Sequence, residues 1–268
     1  MAADFSNEIM GQSRHQFIYG YNTQERHDIL KGITDSYPVK VDIDLPMGIY
    51  LENYALPDIP NAHDVDRILL SRMSREYLSF LIAYTLLNNA LENNDFDLII
   101  ERVSSFLKTI NRLFIDNDGV EIKSLKELLK ILKLGCEFYS IHYKATLETG
   151  AFTGSFVELP ISFLSLDSFI RYFKKLLNNN SYVALIVDVT EPISKIATQT
   201  INDYLSKRCN SDLSMKVACE PGIWKTYYDF SGNLVEYTHD YGVVELDDSS
   251  SRYLETQKAK WDIDRRKI

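Results

Sequence analysis

"HQFIYGYNTQERHDILKGI", residues 15 to 33, decides how the chain is read. An apolar run, Phe17-Ile18-Tyr19, meets Gly20, then a polar turn, then a helix-forming segment. Strand, glycine, turn and helix in that order make the frame of the phosphate-binding loop G-x-x-x-x-G-K-[ST]. In that loop backbone N–H groups cradle phosphate, the lysine reaches it and the hydroxyl serves Mg²⁺. Aligned on Gly20, the second glycine position holds Glu25, the lysine position Arg26 and the Ser/Thr position His27. The frame is present, and three of its working positions are changed.

Each change has a physical consequence. Glu25 brings a Cβ and a negative charge to a place where the backbone should close on phosphates. Arg26 keeps a cation but lacks the compact reach of lysine. His27 has no hydroxyl for Mg²⁺. Together they argue against tight binding of Mg-ATP, so the expectation is no cofactor, with ATP and Mg²⁺ as the open alternative. Gly20, Asn22, Arg26 and His27 are the loop residues assigned to any nucleotide that does bind.

Bulk properties narrow the class. A chain of 268 residues that is 45% hydrophobic, with only 11 Gly and 7 Pro, should be ordered over most of its length. A net charge of −9 does not support nucleic acid as the ligand, since such proteins show a basic footprint. The basic run "KAKWDIDRRKI" reads as a solvated helix end. No apolar stretch approaches the roughly 20 residues of a membrane span. No secretory signal is evident either, so a cytoplasmic location is expected. Cys136, Cys209 and Cys219 read as reduced thiols, and neither they nor the scattered histidines have metal-ligand spacing. The acidic pairs "DID" (42–44) and "DD" (247–248) read as solvated turns.

Three regions separate by pattern. Residues 1–62 hold the first strand, the loop, a short helix and the alternating Val39, Val41 and Ile43, which have a strand's period. "GIYLEN" is a further extended piece. Residues 63–149 read as helix: Leu70, Met73, Tyr77, Phe80, Tyr84, Leu87 and Leu91 recur at three and four. Ser124 followed by Glu127 has the form of a capping box. Residues 150–268 return to alternation. They contain a helix from about Ser165, the continuous apolar strand "SYVALIVDV", a helix over 194–208 and the strand "SMKVACE". A hairpin over Ser231-Gly232-Asn233, carrying Trp224 and Tyr227 packed on the sheet, the strand "VVELD" and a helix over 250–264 complete it. The pattern predicts an α/β fold, a mostly parallel P-loop-type sheet flanked by helices, with a large helical insertion.

A phosphate loop needs an acid at the end of a second apolar strand, and Asp188 in "ALIVDV" supplies one. With "FIYGYNTQERHDIL", "YVALIVDV" and "SMKVACEPG" in that order, the chain resembles the AAA+ P-loop superfamily, most closely its origin-recognition/STAND-like branch. The resemblance touches about 170 residues and leaves out the helical block. It implies that Asp188 is the Walker-B acid, that Glu220 is the polar sensor and that Arg208 stands where a finger would reach a neighbouring subunit. It also implies a glutamate after Asp188, where this chain has Val189, with Glu191 farther on.

Asp188 and Arg208 are thus the catalytic candidates, and three readings stand. One is a degenerate AAA+-like domain acting as a non-hydrolysing regulatory or scaffold subunit, with a protein partner or an oligomer. Another is an ATPase with an atypical loop. The third is a helical protein-interaction module on an α/β base, which predicts that Gly20 and Asp188 do not end adjacent strands.

Overall fold

The computed structural model describes residues 2–52, 67–113, 121–152, 166–191, 193–206, 212–236 and 240–246. The elements run α1 (Ala2–Met10), β1 (Gln16–Tyr19), α2 (Thr23–Asp35), β2 (Met47–Glu52), α3 (Arg67–Asn93) and a 3₁₀ turn (Phe96–Ile99). They continue with α4 (Ile100–Leu113), α5 (Leu125–Thr149), α6 (Leu166–Leu177), β3 (Val183–Val189), α7 (Lys195–Leu205), β4 (Leu213–Cys219) and β5 (Gly242–Glu245). Arg208, Cys209, the 247–248 acids, the 250–264 segment and the basic terminal run lie outside the described residues.

The five strands form one sheet in the order β2-β3-β4-β1-β5, with every pairing parallel. Parallel strands buried on both faces need apolar residues at successive positions, and β1, β3 and β4 are buried throughout. Period-two alternation sorts them into two cores. Phe17, Tyr19, Ile49, Leu51, Leu185, Val187, Met215 and Val217 join the larger core with α3 to α7. Ile18, Ala184, Ile186 and Ala218 join the smaller one with Ile9, Met10, Leu30 and Ile33 of α1 and α2. The same alternation turns Tyr50, Asp188, Ser214 and Lys216 toward α1 and α2.

The helical block follows its sequence spacing. Leu70, Met73, Phe80 and Leu87 of α3 are buried, and α3 lies close against α5. A Cβ at Gly135 of α5 would sit 2.1 Å from Cδ1 of Phe80, so glycine sets the spacing of these two helices. Ser124 accepts from Glu127 N at 3.2 Å, and Glu127 reaches back to Lys123 N at 2.8 Å. Helix α7 is polar yet buried, because its side chains hold other elements. Thr200 bonds Ser74 of α3, Gln199 donates to Asp229 O, and Asn202 donates to Thr226 O and Tyr228 O.

Three sequence expectations need correction or addition. Val39 to Ile43 is a loop rather than a strand. Asn94 satisfies Val39 O and Val41 N, and Asp42 turns the chain at φ 58°. Around Ser231 the structure has a single antiparallel bridge, Tyr228 to Leu234, around a turn whose Asn233 N–H donates to Asp229. Trp224 and Tyr227 do pack there against Phe17, at 5.3 and 5.7 Å between ring centroids. Helix α1 was not anticipated; it is anchored by Tyr182 O–H donating to Met10 O and by Gln16 donating to Glu8 O.

Lys216 is fully buried on β4, where its ammonium donates to the carbonyls of Gln12 (2.8 Å) and Arg14 (2.5 Å). Burial pushes it down from 10.5 to about 7. Above pH 7 the folded chain then loses a proton that the unfolded chain keeps, so stability rises with pH. The window closes near pH 9, where the thiols of Cys136 and Cys219, both pushed up to about 12 by burial, act in the opposite direction. Urea unfolding should show stability increasing by about 1–2 kcal/mol between pH 7 and 8.5, with the rise absent in Lys216→Met. In the helical block, Gly135→Ala should cost about 1–3 kcal/mol by forcing α3 and α5 apart, measured in the same way.

Candidate functional site

The site lies at the carboxyl ends of β1, β3 and β4. Gly20 leaves β1, and its N–H donates to Cys219 O of β4 at 3.4 Å. Asn22 caps α2 by accepting from Glu25 N at 3.1 Å, and Arg26 N donates to Asn22 O at 2.9 Å. The Glu25 amide of the first turn is thereby capped from within the chain, and Arg26 N–H makes the first intrahelical bond. Thr23 Oγ1 donates to Glu220 at 2.6 Å, joining the loop to the end of β4.

Arg26 sits on the buried face of α2 with Leu30, Ile33 and Thr34, and is 1% exposed. That face meets the sheet side on which alternation has placed Asp188. Arg26 Nε donates to Asp188 Oδ1 at 2.9 Å and Nη1 to Gly20 O at 2.6 Å, with both charged side chains fully buried. Nη2 is buried without a hydrogen-bond partner.

Tyr50 of β2 completes the network. Its hydroxyl donates to Asp188 Oδ2 at 2.6 Å and lies 2.8 Å from His27 Nδ1. A carboxylate only accepts, so the single Tyr50 proton goes to Asp188, and His27 Nδ1–H donates to the Tyr50 oxygen. The His27 and Tyr50 rings meet edge to face at 5.3 Å. One oxygen of Asp188 is thus held from α2 and the other from β2.

The structure therefore brings together Gly20, Asn22, Arg26, His27, Asp188 and Glu220. The strands carrying Gly20 and Asp188 are not adjacent, since β4 lies between them, which is what the helical-module reading predicted, yet Arg26 contacts both residues. Val189 is buried on the opposite face of the sheet, and Glu191 is exposed. Arg208 lies outside the described residues. Thr23 and Tyr50 were missed. The signal for Tyr50 was available in "GIYLE", where Ile49 and Leu51 face one core and Tyr50 must face the other. Next to the pair, the Cys219 thiol is buried and pushed up to about 12, which makes it a poor nucleophile. Among the described residues there is no group of three or more metal-ligating side chains, and no helix is long and apolar enough to cross a membrane.

A parallel α/β sheet with a glycine loop after β1 and a buried acid at the end of β3 is a P-loop-type domain of the AAA+ class. A family model described as ORC-CDC6-like matches residues 58–259, well over half the chain, which therefore belongs to the ORC-CDC6-like family. The match begins after β2, so it contains Asp188 and Glu220 but not the loop residues or Tyr50. A search of curated proteins finds no match.

Breaking a buried pair on one side leaves an uncompensated charge. Arg26→Ala and Asp188→Asn should each destabilise by about 3–5 kcal/mol in urea unfolding. Combining Arg26→Met with Asp188→Leu should cost clearly less than the two single replacements added together.

Proposed function

We propose that this chain is a AAA+-type domain whose phosphate loop does not take nucleotide. Its role is that of a non-hydrolysing regulatory or scaffold subunit in a protein assembly. The observation that carries this reading is the buried pair between Arg26 and Asp188. The cation at the lysine position and the acid at the Walker-B position neutralise each other, where a nucleotide site would have them face phosphate and hydrated Mg²⁺.

The surrounding residues do not fit Mg-ATP held in the P-loop manner. To meet a phosphate, the Arg26 guanidinium would have to leave a fully buried carboxylate, stranding that charge. Glu25 presents an exposed carboxylate in the first turn of α2, where the loop would close on anions. His27, at the hydroxyl position, is committed to Tyr50. Val189, buried on the other face, has no group to polarise water.

Thermal unfolding with and without millimolar ATP and Mg²⁺ tests this reading. A ligand at 100 times its Kd adds about 2.7 kcal/mol, a shift of several degrees. No shift is expected for the native chain. A clear shift that Arg26→Lys retains and Arg26→Ala abolishes would establish a working nucleotide site instead.

A further inference from the structure

The end of the sheet opposite Asp188 carries a second constellation, which does not depend on how the phosphate loop is read. The loop 41–46 leads into β2, an edge strand, and is fixed from three sides. Arg102 of α4 grips both oxygens of Asp42, at 3.1 and 2.9 Å, and Asn178 donates to the same carboxylate at 2.8 Å. Asn179 donates to the carbonyls of Ile43 and Leu45 at 2.6 and 3.0 Å, and Asn180 N–H to Asp44 at 2.9 Å. With its backbone held this way, the loop presents two apolar side chains outward, Ile43 at 39% and Leu45 at 53% exposure. Leu98, one turn ahead of Arg102, is 82% exposed.

The same Asn178–Asn180 segment forms the wall of a cavity of about 280 Å³, lined also by Arg171, Lys174, Lys175 and Asp212. Three cations face one carboxylate there. Lys174 is close-paired with Asp212 at 2.5 Å and almost buried. Arg171 reaches Asp212 only at 3.7 Å with its side chain 60% exposed, and Lys175 lies over the Tyr172 ring at 5.3 Å. Although the chain's net charge is −9, three cations outnumber one carboxylate among the residues lining this hollow.

We infer that the hollow and the adjoining aliphatic ledge dock a segment of a protein partner in which an Asp or Glu side chain is flanked by Leu- or Ile-type residues. The carboxylate enters between Arg171 and Lys175, and its apolar neighbours cover Ile43 and Leu45. Arginine and lysine lining one concavity suit one projecting acid group. A flat anionic bilayer would meet only the rim of the concavity. A rigid loop adds affinity because it is already ordered before the partner arrives.

The test pans a displayed library of random dodecamer peptides against the full chain and measures the enriched peptides by fluorescence anisotropy. The variants are Arg171→Glu with Lys175→Glu, Leu45→Asp, and Lys126→Glu on the exposed face of α5 as a control. All four changed positions are exposed, and circular dichroism melts confirm folding. Enriched peptides should pair Asp or Glu with Leu or Ile. They should bind about tenfold more weakly to the charge-reversed double variant and to Leu45→Asp, and unchanged to Lys126→Glu. No enrichment, or peptides indifferent to these changes, overturns the proposal. So does sedimentation with phosphatidylserine vesicles that the same variants abolish.

Discussion

The described residues at the carboxyl end of the sheet are arranged around one guanidinium placed directly against one buried carboxylate. Removing both charges from solvent is costly, and their attraction offsets that cost only with good geometry and further hydrogen bonds. Gly20 O takes one edge of the guanidinium, and Tyr50 supplies a proton to the far oxygen of the carboxylate. The result ties α2, the loop, β2 and β3 into one block. It also explains why a helix facing an apolar sheet carries an arginine on its inward side.

In a P-loop site the lysine meets phosphate and the Walker-B acid serves Mg²⁺. In this chain the groups at those two positions meet directly. Two polar side chains of the loop are likewise engaged within the protein: Asn22 caps the helix and Thr23 is bound to Glu220. The frame of the fold is retained while its polar groups serve one another.

Much of this architecture was legible because its causes are local. "YVALIVDV" had to be a strand buried on both faces, and the three-and-four spacing from Leu70 to Leu91 had to be a helix. Asp188 could be picked out as the acid ending its strand. What Arg26 would do could not be read, because its partner lies 162 positions away and only the packing of α2 on the sheet brings them together. Val39 to Ile43 misled for a related reason. The alternation was real, but Asn94, 55 positions from Val39, supplied the hydrogen bonds a neighbouring strand would have given. The polar side chains of α7 are buried because Thr226, Asp229 and Ser74 arrive from elsewhere in the chain to meet them.

The strand order has a consequence for the chain as it is being made. β1 is completed early, at Tyr19, yet its two neighbours are β4 and β5, which begin at Leu213 and Gly242. β2 pairs with β3, which begins at Val183. During synthesis the first two strands of the sheet therefore leave the ribosome with no partner among the described strands until about half of the chain has followed. Helices α3 to α5 emerge in that interval and can begin to pack on one another through contacts close in sequence, the fast kind. The helical block is thus more than an interruption of the sheet: its contacts are closer in sequence than those of the strands on either side of it, which favours its ordering first.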